Sequence, residues 1–187
     1  MISTKKIGLS TEQLNKVGNT AIYFADHIVD LSKTKLLKLI YILDEFSIKS
    51  SGIPFFNLEY RAWKYGPVSE ELFIDLSDDL TLLKTYIGIN DGNIISASTF
   101  NDDEFSENDL NLMNSVTKDL GTKSAKELVY LTHRVNAPWH EEASENQALE
   151  LLLDGTVAKT DYVLDMRCII EHDERKMAIY EDLNEFE

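Results

Sequence analysis

The stretch "LSKTKLLKLIYILDEFSIKS", Leu31 to Ser50, constrains the fold more than any other. Leu36, Leu37, Leu39, Ile40, Ile42 and Leu43 make it apolar around much of its circumference, and a helix apolar on several faces belongs at the centre of a core. Ser32 is placed to cap it, and "SSGIP" stops it through Gly52 and Pro54.

The other segments supply faces to cover that helix. Residues 11–30 place Leu14, Val17, Ala21, Phe24, Ala25 and Ile28 at helical spacing, with Thr11 as N-cap. Residues 55–65 are aromatic-rich and read as a short strand or an irregular segment. "GPVSEELF" reads as a turn and then a helix, with Pro67 in the first turn and Glu70 and Glu71 at the positive end of the dipole. "TYIGINDGNIISAS" predicts a β-hairpin, because Asp91-Gly92 is a type I′ turn signal between two apolar runs.

A helix from a capping Ser106 to Gly121 follows the acidic loop "NDDEF", with Leu110, Met113, Val116, Thr117 and Leu120 on one face. Ser124 and Glu127 form a capping box for the next. Residues 144–155 read as a short helix closed by Gly155, and residues 159–183 as a longer final one. Its face runs through Val163, Met166, Ile169 or Ile170, Asp173, Met177 and Tyr180. The expected fold is mainly α: a compact helical domain with a small β-hairpin, plus a C-terminal acidic helical extension. The domain covers residues 1–142, and the extension, residues 143–187, packs on it or continues it.

Composition narrows the function. With 187 residues and 43% hydrophobic content the chain can build one good core. No apolar run reaches the ~20 residues that span a bilayer, and the start lacks the apolar centre of a signal peptide. A single cysteine, Cys168, excludes an intrachain disulfide and fits a reducing cytoplasm. The net charge is −15, and residues 141–187 carry 14 acids against 4 bases. Direct nucleic-acid binding needs clustered Lys and Arg, so a chain this acidic is poorly suited to it. A basic protein partner is the better match, reached by electrostatic steering. General solubility explains the same acidity equally well.

Catalytic patterns do not assemble. His133 and His140 flank "RVNAPW" beside Glu141 and Glu142, but their spacing matches no usual metal-ligand pattern. Cys168 lies on an amphipathic stretch, where a buried small side chain is the simpler reading than a nucleophile. The chain has no Gly-x-Ser-x-Gly elbow and no glycine-rich phosphate loop. Acid pairs such as Asp78-Asp79 read as solvated turns. Neither an enzyme nor a cofactor is expected. Tyr60, Trp63, Tyr65 and Trp139 form either a ligand cage or buried packing, and packing is favoured.

Three stretches, in order, resemble one family. "KLLKLIYILDEFSIKSSGIPF" contributes Lys38, Leu39 and Tyr41. "EYRAWKYGPVSEELF" contributes Ala62, Trp63, Gly66, Pro67 and Val68. "SAKELVYLTHRVNAPWHE" contributes Leu128, Leu131, Thr132, His133, Pro138 and Trp139. Together they resemble the Panacea antitoxin domain, the family of the SocA antitoxin and the phage-associated GepA-like proteins. The resemblance covers about residues 11–141; the acidic tail after Glu142 has no counterpart in it.

The resemblance implies an antitoxin that neutralises a protein toxin, usually encoded next door, by direct protein–protein binding. Members pair with unrelated toxin folds. SocA instead delivers its toxin to a AAA+ protease, so a protease adaptor is one alternative. A phage or mobile-element protein acting on a host factor is another. A signature shared across unrelated partners fits a determinant of the fold, so Trp63, Gly66, Pro67 and Trp139 are expected in the structural core. Arg61, Lys64 and His133 are the members expected to reach a partner.

Overall fold

The computed structural model describes residues 8–185. The order is α1 (Thr11–His27), α2 (Lys33–Ser51), β1 (Arg61–Trp63), β2 (Gly66–Val68), α3 (Glu70–Ser77), β3 (Ile87–Asn90) and β4 (Asn93–Ser96). There follow α4 (Glu107–Leu120), α5 (Ala125–Thr132), α6 (Pro138–Glu145), α7 (Leu149–Leu153), a 3-10 turn (Met166–Ile169) and α8 (Glu174–Glu185). The chain is mainly α, as its periodicities predict. Among the described residues no helix is long and apolar enough to cross a membrane.

α2 runs through the centre. Leu36, Leu39, Ile40, Tyr41, Ile42 and Leu43 have no exposed surface, which requires neighbours on every side. α1 covers it with Val17, Ala21 and Phe24, and α4 with Met113, Val116 and Leu120. Truncating one such residue, as in Leu39→Ala, costs about 2–5 kcal/mol in a core this closed. Lys35, also buried, donates to the carbonyls of Val29 and Gly121, so its ammonium binds the ends of α1 and α4 to α2. The hairpin β3–β4 forms in the expected register, with Asp91 and Gly92 both at positive φ as a type I′ turn demands.

Four local expectations need correction. The N-cap of α1 is Ser10 and not Thr11. Its hydroxyl accepts from the Gln13 amide, and the Gln13 side chain accepts from the Ser10 amide in return. Pro67 is not in the first turn of a helix. It lies in β2, paired with Ala62 across a second hairpin with shorter strands, and α3 starts at Glu70. The segment 144–155 is not one helix; α6 ends at Glu145, and Gln147 at φ 56° breaks the path before α7.

The long final helix is the largest departure. Residues 158–164 run extended beside β1. Lys64 N donates to Ala158 O, Ala62 N to Tyr162 O, and Leu164 N to Tyr60 O, each near 2.9–3.0 Å. A helix there would leave the Ala62 and Lys64 amides, next to buried Trp63, without partners. After the 3-10 turn at Met166–Ile169 the chain becomes α-helical only from Glu174, as α8. The tail also fills core: Leu152, Leu164, Met166 and Ile170 are buried.

Candidate functional site

The three signature stretches meet where α2, the β1–β2 hairpin and the turn between α5 and α6 come together. Lys38 enters from α2 and is 2% exposed. Its ammonium donates to the Pro67 carbonyl at 2.6 Å. Gly66, at φ 91°, lies between Lys38 and the α5–α6 turn. A Cβ there would stand 2.5 Å from Thr132 Oγ1, 3.3 Å from Lys38 Cε and 3.4 Å from His133 Nε2. Both the backbone angle and the space therefore demand glycine.

The two tryptophans complete the joint. Trp139 is fully buried, and its indole N–H donates to the Trp63 carbonyl at 2.8 Å. His133 stacks on Trp139 with ring centres 3.8 Å apart. Trp63 meets Phe73 edge-on, carries the Lys159 ammonium over its face, and donates to Thr160 O. Thr132, buried, donates back to Val129 O. Leu39, Tyr41, Ala62, Val68 and Pro138 are buried around this joint.

Its electrostatics follow from burial. Loss of water lowers Lys38 from the ordinary lysine value to about 7. His133 falls to about 4, chiefly by burial and next by the Lys38 charge, so its ring is neutral at physiological pH. Lys38 is enclosed by the joint and reaches no solvent. Its chemistry is that of a tether between α2 and the hairpin, not of a nucleophile facing a substrate.

The residues expected to reach a partner sit differently from one another. Arg61 is held at 3.1–3.3 Å by Glu59, Glu70 and Asp161. Lys64 is half-buried at the hairpin tip near the ring of Tyr65, which is 64% exposed. His133 points inward against Trp139. Tyr60, Trp63 and Trp139 pack inside, so they make no open aromatic cage with Tyr65.

Two buried acids on α2 were invisible to pattern reading. Asp44 accepts from the amides of Phe56 and Asn57 and from the Tyr60 hydroxyl, pinning the loop after α2. Glu45 is paired with Arg134 of the α5–α6 turn. Glu45 lies seven residues after Lys38 and so shares its face of the helix.

No group of three or more His, Cys, Asp or Glu side chains among the described residues is arranged to hold a metal. His140 lies beside Glu141. Burial, and then the neighbouring acids, push the Cys168 thiol up to about 12, which keeps it protonated and a poor nucleophile.

A family model described as the SocA-like antitoxin Panacea domain matches residues 36–140, a span containing the whole joint. No curated protein and no solved structure matches the chain. The match takes in more than half of the 187 residues, from the tether lysine on α2 to the second tryptophan, and on that ground the chain belongs to the family of SocA-like antitoxin Panacea domains.

Proposed function

We propose that this protein is the antitoxin of a toxin–antitoxin pair and neutralises a cognate protein toxin by direct binding, in the cytoplasm and without catalysis of its own. The family match carries the reading. Most of the signature residues are spent on the joint of α2, the hairpin and the α5–α6 turn, which leaves partner choice to the surface around it. That surface carries Tyr65, Tyr130 and Val135, all more than half exposed. Large apolar side chains of this kind anchor protein interfaces. We read residues 1–142 as the Panacea unit and residues 143–187 as an extension that continues the same domain. Their excess of acids suits a basic partner.

Co-expression with the product of the adjacent gene tests this. The expected outcome is rescue of growth, with a stoichiometric complex, in a host lacking its AAA+ proteases. Absence of rescue would sink the antitoxin reading. Rescue only when the protease is present would replace direct binding by delivery for degradation.

A further inference from the structure

Lys38, Tyr41 and Glu45 recur at i, i+3 and i+7 on α2 and so form a polar seam on one helix face. The α5–α6 turn lies over it. His133 meets the Lys38 end, and Arg134 meets the Glu45 end. Tyr41 Oη, Glu45 Oε2 and His133 Nε2 are buried and make no hydrogen bond within the protein.

We propose that the segment His133–Asn136 is a latch over this seam, held shut by Arg134 on Glu45, and that it opens locally while the rest of the fold stays closed. Its ends are fixed. Thr132 is buried on one side, and Trp139 is buried and bonded to Trp63 on the other. Between them Asn136 holds a positive φ of 65°, and Val135 is 68% exposed. The lock is asymmetric. Glu45 is 1% exposed and Arg134 39%, so the cation can turn into solvent while the carboxylate cannot. Closure buries three polar atoms that have no hydrogen-bond partner in the protein, and opening exposes them to solvent. The gap between the two states is therefore smaller than it would be over an apolar seam. The latch sets how Val135 is presented, whether or not the partner is a toxin.

Native-state hydrogen exchange on the full chain tests it, read at the Ala137 amide, which is bonded across the turn to Arg134 O, and at the His133 amide, which is bonded back to Val129 O and Tyr130 O at the end of α5. Arg134→Ala is expected to speed their exchange at least tenfold, leaving α2 and α6 within twofold; Arg134→Lys should restore most of the protection. Tyr41→Phe removes a buried hydroxyl and no protein hydrogen bond, so it should slow exchange of the turn threefold or more. A merely structural ion pair would not produce that slowing. Equal acceleration across α2 and the turn in Arg134→Ala, or no slowing in Tyr41→Phe, overturns the latch. Should Arg134→Ala fail to fold, Tyr41→Phe decides the question by itself.

Discussion

The ammonium of Lys38 reaches the carbonyl of Pro67 at 2.6 Å from inside the core, and burial moves it far below its solution pKa without an acid to hold it up. One side chain thus joins the central helix to the hairpin, at an energetic cost that varies with pH. In the folded protein it titrates near 7, and in the unfolded chain near 10.5. Between those values the unfolded chain binds more protons, so the contribution of Lys38 to stability rises with pH.

Lys38→Met keeps the stem and removes the charge. The stability of the wild type relative to this variant should therefore increase from pH 7 to 10.5, by up to about 5 kcal/mol for the full shift. Urea unfolding of both proteins at several pH values measures it. Parallel curves would show that Lys38 is not a desolvated ammonium. The buried Tyr41 and Tyr60 and the half-buried Cys168 are all shifted upward and oppose this trend, but they cancel in the difference. His133 acts with the same sign at lower pH. Its contribution to stability should be lost as pH falls from 6.5 toward 4, and His133→Phe should flatten that limb.

Gly66→Ala places a methyl against Thr132 at a backbone angle that alanine resists. The strain costs about 1–3 kcal/mol before any clash is counted. Adding Thr132→Ala removes the nearest obstacle but not the strain. The double variant should therefore be less destabilised than the sum of the two single ones, by about 1 kcal/mol. Additive losses in thermal melts would mean that the hairpin and the α5–α6 turn do not share this space.

Much of this joint could be read in the sequence, and its failures have physical causes. The centrality of α2 was legible because its apolar residues fall on several faces of the helix, and the β3–β4 turn because Asp91-Gly92 permits few alternatives. Pro67 misled, because a fixed φ suits the first turn of a helix and a short strand equally. Residues 163–180 carry apolar side chains at roughly helical steps, yet the amides of Ala62 and Lys64 bind residues 158–164 as an extended segment before a 3-10 turn at Met166–Ile169. A partner remote in sequence leaves no trace in local periodicity. Asp44 and Glu45 were missed for a related reason: a buried acid and a surface acid look the same until their donors are known.

Asp44→Asn tests one of those hidden acids. Every group facing the carboxylate is a donor: the amides of Phe56, Asn57 and Leu58, and the Tyr60 hydroxyl at 2.6 Å. An amide of the same shape would turn its own NH₂ on some of them and strand others. The expected loss is about 3 kcal/mol, read from the urea midpoint at neutral pH. A loss under about 1 kcal/mol would show that the loop after α2 is held by its aromatic packing and not by the carboxylate.

The acidic tail divides into two parts with opposite expectations. A chain ending at Glu142 loses the buried Leu152, Leu164, Met166 and Ile170 together with the extended segment beside β1. It should not fold cooperatively, and so cannot isolate a steering role for the tail charges. A chain ending at Asp173 loses α8, which has no buried residue among those described, and residues 186–187. With it go the partial cover from Met177 and Tyr180, the packing of Lys176 on Gly52, and the hydrogen bonds of Lys176 to Lys49 O and of Asn57 to Asn184. This shorter deletion should stay folded, with a drop of about 1–3 kcal/mol. It removes Glu174, Glu181, Asp182 and Glu185 against Arg175 and Lys176 from the described helix, so any slower association with a basic partner then reports charge and not unfolding. Circular dichroism and thermal melts separate the cases. A cooperative melt for the longer deletion, or its absence for the shorter, would overturn the division.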